Sequence, residues 1–481
     1  MRTELPRSTP EAQGIPSAAI NAFLDAMGKT DLELHGLMVL RHGHVVAEGW
    51  WSPYRADLRH MLFSLSKSFT STAVGFAVTE GLLTVEDRLV DYFPEYKDKL
   101  DPLWEKLKLK HLLMMGTGHQ TDTMDFIMKN PNGNWAEGFF QTPLVFEPGT
   151  HFLYNTGATY MLSAVVQKVT GQRLLDYLTP RLFQPLGIEG PLWEQSPQGI
   201  DAGGFGLAIR TEDIARFGQF LLQRGQWQGK QLIPGAWIDE ATAKHIENGP
   251  NEGADWAMGY GYQFWRCQPA GVYRGDGAFG QFCIVSPSQD LVIAINSGLN
   301  DMQKVMTNLW AHLLPALTDS LPEDPAASTA LRKRLNGLHY DPPKACRLPE
   351  RERAIDGRRY AFQPNDLGYK AMTFSFQPEG CTVTAETEKG TAALLLGSGQ
   401  WLIGRDEGFV TVPLGPDGTL AETAAAFTWQ DGHLTLILRR IQSPFVLTVT
   451  ASFEGDTLTI DARDNASFGP TEHPALTATA Q

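Results

Sequence analysis

The chain has 481 residues, 42% hydrophobic and 20% charged, with a net charge of −14. This is the composition of packed globular protein, and the length calls for one large domain plus a smaller one. The acidic balance argues against nucleic-acid or anionic-membrane partners, and no run of about 18 apolar residues offers a membrane span. Met1–Pro6 lacks the apolar stretch of a secretion signal, and the four cysteines, Cys267, Cys283, Cys346 and Cys381, form no C-x-x-C pair. The expectation is a cytoplasmic protein with reduced thiols.

In chain order, Leu37–Glu48 reads as two short strands around a His42-Gly43-His44 turn. A helical pattern runs from Ser64 to Thr79 and stops at Gly81. A second helix is expected over Ala158–Val169, entered from a loop carrying Tyr154-Asn155-Thr156. A third covers Thr211–Arg224, with Thr211 as its N-cap. Gly261–Trp265, Gln281–Val285 and Leu291–Asn296 then read as strands. Strands near both ends with helices between them fit an α+β domain, an antiparallel sheet flanked by a helical lobe, over residues 1–317.

Residues 318–350 are rich in Pro, Asp and Arg and read as a linker. Over 351–481 the pattern is almost wholly strand-like. Candidates are Met372–Phe376, Thr382–Ala385, Ala392–Leu396, Phe409–Val412, Ala425–Trp429, Leu434–Leu438, Phe445–Thr450 and Thr457–Asp461. Turns such as Pro416-Asp417-Gly418 and Gln430-Asp431-Gly432 separate them, predicting an all-β barrel or sandwich. No acid, base or nucleophile cluster stands out there, so an accessory or substrate-gating role is expected.

The chemistry concentrates at Ser64-Leu65-Ser66-Lys67. A serine hydroxyl needs a base beside it, and on a helix residues three apart share a face, so Lys67 reaches Ser64. Tyr154 is the candidate proton relay, with a phenol that neighbouring Lys67 would make more acidic; a helix-entry tyrosine packed on the core is the alternative its position allows equally. An oxyanion hole needs two backbone N–H groups: one from Ser64, the other from the glycine-rich run Gly275–Gln281. That run also matches G-x-G-x-x-G, but it leads into a strand, which argues against a dinucleotide site; an ordinary hairpin turn is the plainer alternative. There is no H-E-x-x-H and no G-x-S-x-G. His119, His151 and His245 read as structural or surface residues, and Trp50, Trp51 and Trp135 as core rather than cleft.

Taken in order, these motifs resemble the serine β-lactamase-related superfamily, in the branch of class C β-lactamases, family VIII carboxylesterases, D-amino-acid peptidases and 6-aminohexanoate-dimer hydrolases. The resemblance covers roughly residues 8–315. It rests on Ser8–Gly14, Phe63–Phe69, Pro148-Gly149, Tyr154–Tyr160, Gly203–Leu207 and Gly280-Gln281. It implies a β-lactamase/penicillin-binding-protein-like fold, with Ser64 as acylated nucleophile, Lys67 as its base and Tyr154 as second acid/base. The backbone N–H groups of Ser64 and Ala278 would form the oxyanion hole, and no metal or organic cofactor is implied.

Two departures bear on substrate. The family's Tyr-x-Asn is here Tyr154-Asn155-Thr156, so either Asn155 or Thr156 fills the role next to Lys67. The Lys-Thr-Gly of lactamases aligns with Gly275-Asp276-Gly277, which replaces a lysine by glycine and sets Asp276 and Gly277 as substrate contacts. A carboxylate there disfavours β-lactams unless Arg274 neutralises it. The expectation is a hydrolase of small neutral or amine-bearing esters or amides. The alternatives are a D-amino-acid peptidase or transpeptidase and a non-catalytic relative.

Overall fold

The computed structural model describes residues 4–250, 253–406, 408, 415–416 and 419–481. Six antiparallel strands form the central sheet: β1 (Glu33–Arg41), β2 (His44–Trp50), β3 (Trp265–Arg266), β4 (Tyr273–Gly277), β5 (Gln281–Ser286) and β6 (Leu291–Gly298), in the order β2-β1-β6-β5-β4-β3. Both faces of this sheet are buried, which is why the middle of β1, Leu37–Leu40, reads as an unbroken apolar run. Its side chains alternate: Met38 and Leu40 join the core of the helical lobe, while Leu37 and Val39 pack with α1 (Ser17–Gly28).

Three further helices position the site: α2 (Ser66–Thr79), α3 (Thr156–Thr170) and α4 (Thr211–Leu222). Helix α2 is buried almost all round, and most of its hydroxyls find carbonyl partners, Ser71 being an exception. Thr72 donates to the Ser68 carbonyl, Thr70 to that of Gly203 and Ser68 to that of Gln263. The N-cap of α4 is Arg210 rather than Thr211: Asp213 accepts from the Arg210 N–H, and the Thr211 hydroxyl instead donates to Asn296 and accepts from the Trp50 indole. Residues 261–265 were expected as a strand, but only Trp265–Arg266 pairs. Gln263 sits at φ 68° and ties its amide to the Leu112 and Leu113 carbonyls, which bends the segment out of the ladder.

The 318–350 segment is more than a connection. It holds α5 (Pro325–Asn336), whose Leu331 and Leu335 sink into the core shared with α1. Beyond it lie β7 (Arg359–Phe362), β8 (Tyr369–Phe376), β9 (Gly380–Thr387), β10 (Gly390–Ser398), β11 (Leu402–Arg405), β12 (Glu422–Gln430), β13 (His433–Arg440), β14 (Val446–Glu454), β15 (Thr457–Asp464) and β16 (Leu476–Ala480). They run in the order β10-β9-β8-β7-β16-β15-β14-β13-β12-β11, and a parallel pairing of β10 with β12 closes the barrel. Closure removes open sheet edges. The strand expected over Phe409–Val412 and most of the Pro416-Asp417-Gly418 turn lie outside the described residues. Among the described residues no helix is long and apolar enough to cross a membrane.

The barrel is fastened to the first domain by specific bonds. Arg439 makes a bidentate pair with Glu33 at 2.6 and 3.0 Å, Met61 N–H donates to the Gln442 carbonyl at 2.9 Å, and the Asn465 amide donates to the Gly298 carbonyl at 2.9 Å.

Candidate active site

Ser64 lies in a single 3-10 turn, Phe63–Leu65, ahead of α2 rather than within it. Phe63 at φ 49° is the reason: its left-handed backbone turns the chain sharply into the helix. The Ser66 hydroxyl fixes this turn by donating to the Phe63 carbonyl and accepting from the Leu207 N–H. A non-glycine residue in this region stores about 1 kcal/mol or more, and such strain collects at functional sites. Phe279, at φ 64°, carries the same signature directly after Ala278.

Lys67 is 1% exposed, with Nζ 3.0 Å from Ser64 Oγ, 2.8 Å from the Gly204 carbonyl and 3.4 Å from Thr156 Oγ1. Burial brings its pKa down to about 7, with partial opposition from the Asp122 and Asp276 carboxylates. A neutral amine has two N–H donors and one lone pair. Gly204 and Thr156 take the donors, which leaves the lone pair facing the Ser64 hydroxyl. This is the geometry of a general base.

Tyr154 is placed by the start of α3. Asn155 caps that helix by accepting from the Ala158 N–H, and it is completely buried. Its side chain also accepts from the Thr123 hydroxyl at 2.8 Å and approaches Thr117 and His119 at 3.4 and 3.3 Å. Asn155 therefore faces away from Lys67, and Thr156 is the residue of the two that reaches it. His119, held neutral by burial with its pKa down to about 4, belongs to this structural network.

The Tyr154 hydroxyl is near enough to the Ser64 side chain for Ser64 to lower its pKa in part. Trp265 stacks on its ring at 5.3 Å, Tyr260 meets it edge-on at 6.2 Å, and Lys67 Nζ stands 4.8 Å from its centroid. The expectation of a more acidic phenol is corrected here. Burial, then the Asp276 charge, push Tyr154 well above the ordinary phenol value, and a lysine that is itself half-neutral at pH 7 cannot reverse this. Tyr154 thus keeps its proton at neutral pH.

Ala278 follows the last pair of the β4–β5 ladder, Gly277 with Gln281, so the glycine-rich run is a hairpin turn that also abuts the Ser64 turn. A Cβ on Gly277 would fall 1.9 Å from the Leu62 carbonyl oxygen and 3.1 Å from the Leu65 nitrogen. Only glycine lets β4 lie this close to the Ser64 turn. Gly277→Ala is expected to force the two donors apart and lower kcat/KM by roughly 10²-fold, the cost of losing an oxyanion contact, with the circular-dichroism spectrum unchanged.

Asp276 is not a free carboxylate facing substrate. It is 6% exposed, and Arg274 Nε donates to it at 2.8 Å. Arg274, fully buried, also donates to the Arg266 carbonyl and lies 4.6 Å from the Trp256 ring centroid. The sequence reading missed the Gly204 carbonyl, Trp265, and Asp122, which accepts from the Thr156 N–H at 2.9 Å. Gly203-Gly204 was the available signal for the first: a Cβ on Gly204 would lie 3.5 Å from Lys67 Nζ and 2.8 Å from Thr156 Cγ2.

The model of the family described as "Beta-lactamase" matches residues 7–316. The chain is 25% identical over 279 residues to a 6-aminohexanoate-dimer hydrolase of Paenarthrobacter ureafaciens, covering 53% of this chain and 70% of that one. It is 29% identical over 159 residues to a lovastatin esterase of Penicillium rubens, covering 28% and 40%, and 25% identical over 242 residues to a beta-lactamase of Escherichia coli, covering 44% and 60%. Among solved structures, a penicillin-binding protein homologue from Caulobacter crescentus superposes with a TM-score of 0.51 at 17% identity, over 65% of this chain and all of the other. SurE with D-Leu superposes with a TM-score of 0.50 at 19% identity, over 88% of this chain and 96% of the other, so the fold likeness extends into the barrel. The family match spans the central sheet, the helical lobe and every candidate residue from Ser64 to Ala278, and the chain belongs to the beta-lactamase family.

Proposed function

We propose that this chain is a serine hydrolase that cleaves ester or amide bonds of small molecules through an acyl-enzyme on Ser64. The observation that carries the reading is the buried, half-neutral Lys67 with Nζ 3.0 Å from Ser64 Oγ. Lys67 takes the Ser64 proton as Oγ attacks the carbonyl carbon, and the Ser64 and Ala278 N–H groups hold the oxyanion. The protonated Tyr154 delivers its proton to the leaving alcohol or amine as the bond to carbon breaks, and the proton that Lys67 took from Ser64 replaces it, which returns Lys67 to its neutral form. Water, activated by the same base, then releases the acid and restores Ser64. The relatives' names, for hydrolysis of a 6-aminohexanoate dimer and of lovastatin, support ester and amide substrates.

If Tyr154 protonates the leaving group, Tyr154→Phe slows hydrolysis of an alkyl ester or amide by about 10²- to 10⁴-fold. A p-nitrophenyl ester, whose leaving group needs no proton, is spared most of that loss. Equal losses on both substrates would contradict the relay role.

β-Lactams are expected to be poor substrates. The aligned lysine is absent, and Arg274 is fully buried with its Nε paired to Asp276 and its Nη1 to the backbone, so the charge it would offer the drug's carboxylate is already offset. The same pairing weakens the peptidase alternative, in which Asp276 would receive a free amine. A panel of p-nitrophenyl esters, anilides and one cephalosporin tests the ranking: esters are expected to turn over at least tenfold faster than the cephalosporin. Comparable rates would overturn the assignment, and no Ser64-dependent turnover would favour the non-catalytic relative.

A further inference from the structure

Four phenylalanines from both domains meet beside the candidate oxyanion hole. Phe63 and Phe279 are the chain neighbours of the two donors, Ser64 and Ala278, and their rings lie 5.3 Å apart. Phe445 and Phe468 come from the barrel. Phe468 stands 4.8 Å from Phe279 and 5.9 Å from Phe63, and Phe445 stands 5.4 and 6.0 Å from the same two rings. These are edge-to-face and tilted packings of normal aromatic pairs.

Phe468 is nevertheless 79% exposed. A phenylalanine whose purpose is to hold two domains together is buried between them, whereas this one keeps most of its ring open. Its position is not that of a loose loop tip. Asn465, three residues earlier, donates to the Gly298 and Pro444 carbonyls and accepts from the Val446 N–H, and its own carbonyl accepts from Asn300. Phe445 is carried on the β13–β14 turn, where the Gln442 carbonyl accepts from Met61 N–H, two residues before Phe63. Both barrel segments are therefore hydrogen-bonded to the catalytic domain at the point where they present their rings.

We infer that the barrel completes the substrate pocket: Phe468, with Phe63, Phe279 and Phe445, forms an aromatic wall beside the oxyanion hole that receives a flat or branched apolar group carried on one side of the scissile bond. The reaction step of this inference rests on the hydrolase reading proposed above, while its binding step does not. The wall supplies four rings with the Phe468 face left open, a surface on which an aryl group is held by offset or edge-on stacking. None of the four rings carries a charge to meet an acyl chain ending in a carboxylate or amine.

Ethyl acetate, ethyl phenylacetate and benzyl acetate place a ring on neither side, the acyl side or the leaving side of the ester. Acid release is followed for wild type, Phe468→Ala and Phe468→Tyr. The ratio of kcat/KM for one ring-bearing ester over ethyl acetate is expected to fall at least tenfold in Phe468→Ala and to recover in Phe468→Tyr. A ratio unchanged within twofold overturns the inference. In a Ser64→Ala background, calorimetric binding of the ring-bearing ester is expected to weaken fivefold or more when Phe468→Ala is added. Loss of that binding in a protein whose wild type shows no turnover would sink the hydrolase reading and support the pocket. Equal binding with and without Phe468 overturns the pocket, whatever the wild-type activity.

Discussion

Replacing Ser64 with alanine is expected to lower turnover by about four orders of magnitude or more while leaving the melting temperature within a few degrees of wild type. The hydroxyl is the proposed bond-forming atom, and removing a nucleophile that acts as a unit with its base leaves only what binding and the oxyanion hole contribute. Its structural ties are few. Ser64 is half-buried in a short turn, and its side chain accepts from Lys67 and stands beside Tyr154, both groups of the site. The turn itself is held by Ser66, through Phe63 and Leu207, which the substitution leaves intact. Losing a hydrogen bond of this kind costs about 1 kcal/mol, which is roughly 1–2 °C for a protein of this size. A large drop in melting temperature, or turnover retained, would contradict the assignment.

The second large effect concerns Lys67. Lys67→Met is expected to lower kcat by about 10³-fold or more through loss of the general base. In wild type, kcat/KM on an alkyl ester should climb with pH through an inflection near 7, since the proton must leave Lys67 before it can accept one from Ser64. The same shift ties stability to pH. Unfolded, Lys67 titrates at its ordinary 10.5; folded, at about 7. Between those values the unfolded chain holds a proton that the native site has released. Native stability therefore rises with pH across that window, by up to about 1.4 kcal/mol per pH unit. Below 7 the full cost of burying the charge is present. Lys67→Met lacks this dependence, so urea denaturation at pH 7, 8 and 9 should show wild type gaining on the variant. A gap that closes the other way, or an activity profile flat through pH 7, would show that Lys67 keeps its proton.

Much of the site was legible because its chemistry is local in sequence. Ser64 and Lys67 are three residues apart, and one turn joins them whatever the rest of the fold does. Gly275–Gly280 announced a close backbone approach, and the structure shows Gly277 filling that role against Leu62. What could not be read was burial. The ionisation of Tyr154 came out with the opposite sign, because the desolvation and the Asp276 charge that raise it belong to the folded site, whereas Lys67 was visible as a neighbour. Asn155 and Thr156 were indistinguishable until the cap of α3 fixed one side chain inward towards Thr123 and the other outward to Lys67.

The fold divides the same way. Strongly alternating strands such as β8, β9 and β13 were visible, while the short β7, β11 and β16 were not. Helix α5 was taken for linker because Leu331 and Leu335 are nearly its only large apolar side chains, too few to mark a helix face. The meeting of Phe445 and Phe468 with Phe63 and Phe279 depends on contacts spanning most of the chain, and no local pattern announces it.

The central claim is that Ser64 is the nucleophile of an acyl-transfer site, and mapping a covalent adduct tests it most directly. Wild type and Ser64→Ala are incubated with a fluorophosphonate, followed by intact-mass and peptide mass spectrometry. The account predicts one adduct per wild-type chain, located on Ser64 and formed more slowly at pH 5.5 than at pH 8, with no adduct on Ser64→Ala. An adduct on another residue, or none on wild type, would contradict it.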